Sequence, residues 1–132
     1  MTVFTVQTYR RNEMLDITQK IQGFISSSGV KSGLVIIYVP HTTAAITVNE
    51  GHDLDVAADF LEKLSRLAPQ GEQFYRHFEG NSDAHVKASL VGCSVSLPVD
   101  NSSLVLGTWQ KIFLCEFDGP RTRKVFLKVL RA

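Results

Sequence analysis

Three of the chain's four histidines sit in polar or small-residue settings: His41 before Thr42-Thr43, His77 after Tyr75-Arg76, and His85 after Asn81-Ser82-Asp83-Ala84. None lies on an apolar stripe. An imidazole in such a place can ligate a borderline divalent ion, transfer a proton near neutral pH, or simply hydrogen-bond at a turn. No pair has the short spacing of HxxxH, and CxxC is absent, so a metal site would have to assemble from three distant segments. Ordinary surface histidines are the competing reading. For His52, in a Gly-His-Asp turn, that plainer reading is preferred.

A second cluster, Asp118-Gly119-Pro120-Arg121-Thr122-Arg123-Lys124, places three cations on a turn between strand-like stretches. Guanidinium forks match phosphate or carboxylate oxygens in pairs, so an anion site is one reading. A solvated hairpin tip that guards a sheet edge with charge is the other, and Lys87 and Lys111 fit either. Among the carboxylates, Asp53 and Asp55 open a helix and are explained by its dipole. Glu50 directly ends a strand beside a helix start, where side chains commonly reach a cleft, and is a candidate for chemistry. Trp109 reads as a half-buried strand residue at a subunit contact. Cys93 and Cys115 fall in apolar strand-like stretches and read as structural free thiols.

These residues need a scaffold, and the composition describes it. At 132 residues, with 44% hydrophobic and 20% charged positions, the chain reads as a single soluble domain that buries its own core without disulfides. A formal charge of +1 removes the long-range field that non-specific nucleic-acid binders use. The longest apolar run, Leu34 to Val39, is far short of a bilayer span, and Met1 to Val6 lacks the pattern of a secretory signal, so a cytoplasmic protein is expected. No GxGxxG, P-loop or GxSxG motif occurs, which argues against the common nucleotide folds and the α/β-hydrolase elbow.

The hydrophobic pattern predicts the elements. Residues 2–9 read as a strand, and Asn12 is expected to cap a helix carrying Met14, Ile17, Ile21 and Phe24 on one stripe. Strands are expected at 33–39 and 43–49, separated by Pro40-His41-Thr42. A helix follows with Leu54, Ala57, Leu61 and Leu64 on its apolar face and Pro69 beyond its end. Residues 69–83 form a long polar loop mixed with aromatics, of the kind that often carries function. A short helix is expected at 83–91, and 93–99, 103–106, 109–117 and 122–130 read as antiparallel strands. The fold class is therefore α+β, a single domain over 1–132 with mainly antiparallel sheets packed as a sandwich and two or three helices.

Several segments together carry a resemblance: His41-Thr42-Thr43-Ala44-Ala45 with Asn49-Glu50, Tyr75-Arg76-His77, Ala84-His85-Val86-Lys87-Ala88-Ser89-Leu90 with Gly92, Pro98, and Leu106-Gly107-Thr108-Trp109-Gln110. In this order, across essentially the whole chain, they resemble the YjbQ-like family, named for secondary thiamine-phosphate synthase activity. The resemblance implies a compact α+β domain assembled as a homotrimer. It also implies a polar site near the matched histidines and a weak ability to make thiamine phosphate. It makes His41, His77 and His85 one candidate metal cluster, for zinc or, with Glu50 and phosphate oxygens, magnesium. Arg121 and Arg123 become the candidate phosphate contacts, Asn81 and Thr108 further substrate contacts, and Glu50, Lys87 and Arg121 the candidate catalytic groups. Where the family can carry acidic residues before the AHxK helix, this chain has Asn81-Ser82-Asp83.

Two functions compete. In the first, a pyrimidine-methyl pyrophosphate loses pyrophosphate as a thiazole-phosphate nitrogen attacks, and cations stabilise the departing anion. In the second, a non-catalytic trimeric module uses the same residues to bind a metal ion or a small phosphorylated metabolite. The 69–83 loop is the one long candidate for a lid.

Overall fold

The computed structural model describes residues 1–132 as eight strands and three helices, in the order β1 (Thr2–Gln7), β2 (Glu13–Asp16), α1 (Thr18–Ser28), β3 (Gly33–Tyr38), β4 (Ala44–Glu50), α2 (Leu54–Leu67), α3 (Ser82–Val91), β5 (Ser94–Asp100), β6 (Ser103–Leu104), β7 (Gln110–Glu116) and β8 (Thr122–Arg131). All strand pairs are antiparallel. They form a five-stranded sheet, β1-β8-β3-β5-β6, and a three-stranded sheet, β2-β7-β4. No helix is long and apolar enough to cross a membrane.

The side-chain period of two explains the layering. Along β4 and β7, Ala44, Ile46, Ile112 and Leu114 turn inward to meet Val35, Ile37, Val125 and Leu127 of the large sheet, and α1 closes this core with Ile21 and Ile25. The alternate residues Ala45, Phe113 and Cys115 face the other way and pack under Leu64 of α2 and Ala84 and Ala88 of α3. The small sheet is thus buried on both faces, which is why Ile112–Glu116 is buried without a break. The large sheet keeps one face open, where Leu34, Tyr38 and Leu130 are exposed.

Local chemistry sets the boundaries. Gly29, at φ 73°, closes α1 in the left-handed conformation that disfavours any side chain. Asn101 and Ser102, both at positive φ, make the two-residue turn between β5 and β6 whose twist suits a hairpin. The expected helix from Asn12 is displaced. Met14 and Leu15 lie in edge strand β2, opposite Cys115 and Leu114, and α1 begins only at Thr18, whose N–H donates to Asp16 Oδ1 at 2.9 Å. Pairing to a strand about a hundred residues away overrides the local helical spacing.

Candidate functional site

The chain passes between the two sheets at Val39–Thr43, from β3 to β4, and again at Phe117–Arg121, from β7 to β8. These two crossovers meet at one end of the sandwich. Arg123 Nη2 donates to Thr43 Oγ1 at 2.8 Å, Phe117 N–H donates to the Thr43 carbonyl at 3.1 Å, and Lys124 N–H donates to His41 Nε2 at 2.9 Å. The start of α3 supplies a third wall. Asn81 Nδ2 donates to Asp118 Oδ2 at 2.7 Å, and Arg121 Nη2 donates to the same oxygen at 2.8 Å.

Between these walls lies a cleft of about 300 Å³ lined by Pro40, His41, Thr42, Thr43, Glu79, Asn81, His85, Arg121 and Arg123. His41, Thr42 and His85 also line an adjoining hollow of about 390 Å³, completed by Ala44, Ala88, Ser89, Gly92 and Cys93. His77 stands edge-on to His85 with ring centroids 5.4 Å apart, and its Nε2 is 3.6 Å from a Glu79 carboxylate oxygen.

Glu116 anchors the arrangement. Its carboxylate is fully buried and ion-paired with Arg123, and it also accepts the Thr8 hydroxyl at 2.8 Å and the Phe117 and Asp118 N–H groups at 3.0 Å each. A buried pair is tolerable only when its remaining lone pairs are satisfied, as these are. Arg123, 4% exposed, therefore holds Thr43 in place as well as lining the cleft. Arg121 differs, because half of its side chain reaches solvent at the rim. Burial first, and then the Arg123 charge, hold His41 below the usual imidazole range. Asn81 is nearly buried, and its Oδ1 is a buried side-chain polar atom with no partner. Leaving such an acceptor unpaired costs roughly 1–3 kcal/mol.

The cleft therefore gathers His41, His85, Asn81, Arg121 and Arg123 from the expected set. His77 stands beside it, but the three imidazoles do not form one donor set. No three His, Cys, Asp or Glu side chains are grouped to hold a metal ion.

Lys87 does not reach the cleft. It is 2% exposed, and its ammonium bonds Asp83 at 3.2 Å, Asn12 at 3.2 Å and Ser65 at 3.5 Å. Arg11 completes the cluster with two bonds to Asp83, at 3.0 and 2.9 Å. Position i+4 from Asp83 on α3 turns Lys87 into the protein, where its charge holds the helix down. Glu50 and Thr108 are also elsewhere. Glu50 closes the β4–β7 ladder opposite Gln110, whereas Ala44, next to the cleft, pairs with Glu116 at the other end. Six residues of strand put these ends about 20 Å apart. Glu50 accepts the His52 N–H at 2.9 Å there, and Trp109, exposed rather than half-buried, meets His52 edge-on at 5.3 Å.

Sequence reasoning missed four residues. Glu116 could have been flagged as a lone acid inside the apolar run Leu114-Cys115-Glu116-Phe117. Asp118, Thr43 and Cys93 carried no such mark. Cys93, expected as a structural thiol in an apolar strand, is instead exposed just before β5 and borders the hollow, whereas Cys115 is structural as expected, its complete burial pushing the thiol up to about 12.

Residues 2–132 match the family described as UPF0047 protein YjbQ-like. The UPF0047 protein YugU of Bacillus subtilis is 47% identical over 125 residues, covering 95% of each chain. A UPF0047 protein of Methanocaldococcus jannaschii is 50% identical over 127 residues, 96% of this chain and 91% of that one. Among solved structures, an uncharacterised YjbQ/UPF0047-family protein from Clostridium acetobutylicum superposes with a TM-score of 0.96 at 44% identity, covering 98% of this chain and all of that one. A YbjQ-like protein of unknown function from Sulfolobus solfataricus gives 0.94 at 36% identity, covering 99% and 96%.

Proposed function

The chain belongs to the YjbQ-like UPF0047 family, and from that premise we propose that the crossover cleft binds a small phosphorylated metabolite and carries weak thiamine-phosphate synthase activity. The observation behind this reading is that His41 and Arg121, eighty residues apart, face one cleft together with His85 and Asn81. In the reaction a ring nitrogen of the thiazole phosphate attacks the methylene carbon of the pyrimidine-methyl pyrophosphate. A C–N bond forms as the C–O bond breaks, and pyrophosphate leaves with the electron pair. Negative charge builds on the leaving oxygens, so a fixed guanidinium and N–H donors are the useful groups. Arg121, held at the rim by two bonds to Asp118 and half exposed, presents its guanidinium to the anion, while Arg123 stays tied to Glu116 and shapes the wall.

A divalent ion would neutralise the pyrophosphate further. His77 and His85 are the pair placed nearest to offer it imidazoles, but no third donor joins them within the chain, and no step depends on an ion. The proposed assembly is a homotrimer. Strand β7 cannot supply its interface, because its own chain covers both faces. The open face of the large sheet can, with Leu34, Tyr38 and Leu130 exposed and the Tyr38 and Phe126 rings 6.0 Å apart.

Product formation by purified wild type against Arg121→Ala tests the catalytic part, and pyrophosphate-dependent melting tests the binding part. Wild type should form product slowly and gain several degrees with pyrophosphate, and the variant should lose most of both. Equal melting shifts in both proteins would return Arg121 to the role of a solvated turn residue.

A further inference from the structure

We infer that His41 serves the cleft as a neutral hydrogen-bond donor, offering Nδ1–H to an anionic oxygen of the ligand, and is not a metal ligand. The inference deepens the reading of the cleft as a phosphorylated-metabolite site and rests on it for the identity of the acceptor.

The β3–β8 ladder ends at Tyr38 opposite Phe126, two residues short of Lys124. Beyond that point β3 has turned away into Pro40–Thr43, and the Lys124 N–H has no ladder carbonyl to meet. His41 Nε2 takes that N–H at 2.9 Å. A backbone N–H is always a donor, so Nε2 must present its lone pair and the ring proton must sit on Nδ1.

Two consequences follow. First, Nε2 has no lone pair left for an ion, and ligation through Nδ1 would move the proton to Nε2, donor against donor. Second, an imidazolium meets the same clash. It would also face the Arg123 and Lys124 cations from β8, with Glu116 of β7 already paired to Arg123, while Arg121, His85 and Glu79 line the same cleft from the other walls. The ring is therefore held in one charge state and one tautomer by a backbone group that cannot titrate. Nδ1 has no hydrogen-bond partner in the protein, while the ring lines the cleft that Arg121 borders. A donor left open beside a guanidinium suits a phosphate oxygen better than a cation.

Histidine ¹⁵N NMR of the wild type without ligand, assigned with His41→Gln, should show the Nδ1–H tautomer at neutral pH. Pyrophosphate titration of two variants then separates the donor role from a structural one. Asparagine places an amide nitrogen near the position of Nδ1, and glutamine places an amide near Nε2. His41→Gln should keep the Lys124 bond and melt close to wild type, yet bind pyrophosphate tenfold or more weakly. His41→Asn should melt lower, yet bind within about threefold of wild type. A merely structural residue would make affinity follow melting temperature, which is the reverse pattern. Zinc uptake by wild type, if measured, should survive both substitutions. An Nε2–H tautomer or an imidazolium at neutral pH, or zinc uptake abolished by both variants, overturns the assignment of His41 even where pyrophosphate binds. Failure of wild type to bind pyrophosphate, with the tautomer as expected, instead overturns the reading of the cleft and removes the proposed acceptor.

Discussion

Replacing Asp83 with asparagine should be among the most damaging single changes in this protein, although Asp83 touches no ligand. Its carboxylate is fully buried and receives two bonds from Arg11 and one from Lys87. Arg11, 28% exposed, can recover water when the charge is lost. Lys87 cannot. At 2% exposure its ammonium would keep only the neutral Asn12 and Ser65 oxygens, at 3.2 and 3.5 Å. Breaking a buried pair in this way costs roughly 3–5 kcal/mol. For a domain of this size each kcal/mol moves Tm by about 3–4 °C, so Asp83→Asn should melt about 10–20 °C lower. Urea unfolding at fixed protein concentration gives the free energy directly. The decisive control is Lys87→Met in the same background, which removes the stranded charge and should restore more than half of the loss. If Asp83→Asn lies within about 1 kcal/mol of wild type, or if the second substitution restores nothing, the cluster is not what holds α3 and His85 in place.

The same carboxylate gives the chain an acid dependence. Burial pushes Asp83 up, but the hydrogen bonds and charges of Arg11 and Lys87 outweigh it and hold the group below its usual value. The unfolded chain therefore takes the proton first, and the contribution of Asp83 to stability should be level above about pH 5 and fall as pH drops toward the depressed folded value. Unfolding midpoints from pH 7 to pH 2 should show a shallower decline in Asp83→Asn. A thiol reagent at pH 8 should label Cys93 alone in the folded chain and Cys115 only after denaturation, because Cys115 is fully buried, and saturating pyrophosphate should slow the Cys93 reaction. Sedimentation equilibrium should return three chain masses for wild type, and Tyr38→Lys with Leu130→Lys should lower that mass while leaving the helix content unchanged.

Elements with a repeating local signal were legible in the sequence. Strands β3 and β4 and helices α2 and α3 lie within a few residues of their expected spans, because their apolar spacing and their Pro and Gly punctuation are local. The stripe from Met14 to Phe24 misled because the β2–β7 pairing that claims Met14 is long-range. In the site, the histidine and arginine motifs were legible as residue types that seek ligands, and His41, His85, Asn81, Arg121 and Arg123 do line one cleft. Lys87 and Glu50 mark the limit. Their types suited the chemistry, but whether a side chain faces a cleft, a buried carboxylate or the far end of a strand depends on packing that spacing does not encode. Glu116 shows the converse, since its importance follows from five donors contributed by four separate residues.

The double burial of the small sheet also says where the sequence can drift. A strand with one wet face accepts almost any polar residue at every second position, and half of its mutations are silent. β7 has no such positions between Ile112 and Glu116, because one set of side chains fills the space between the sheets and the other lies beneath α2 and α3. Every residue there is constrained in volume, and Glu116 is constrained in charge as well. In a deep mutational library this five-residue stretch should stand out as an unbroken block of intolerance. The next strand, β8, should instead show an alternating profile, tolerant at the outward positions Thr122, Lys124 and Lys128 that lie outside the proposed interface.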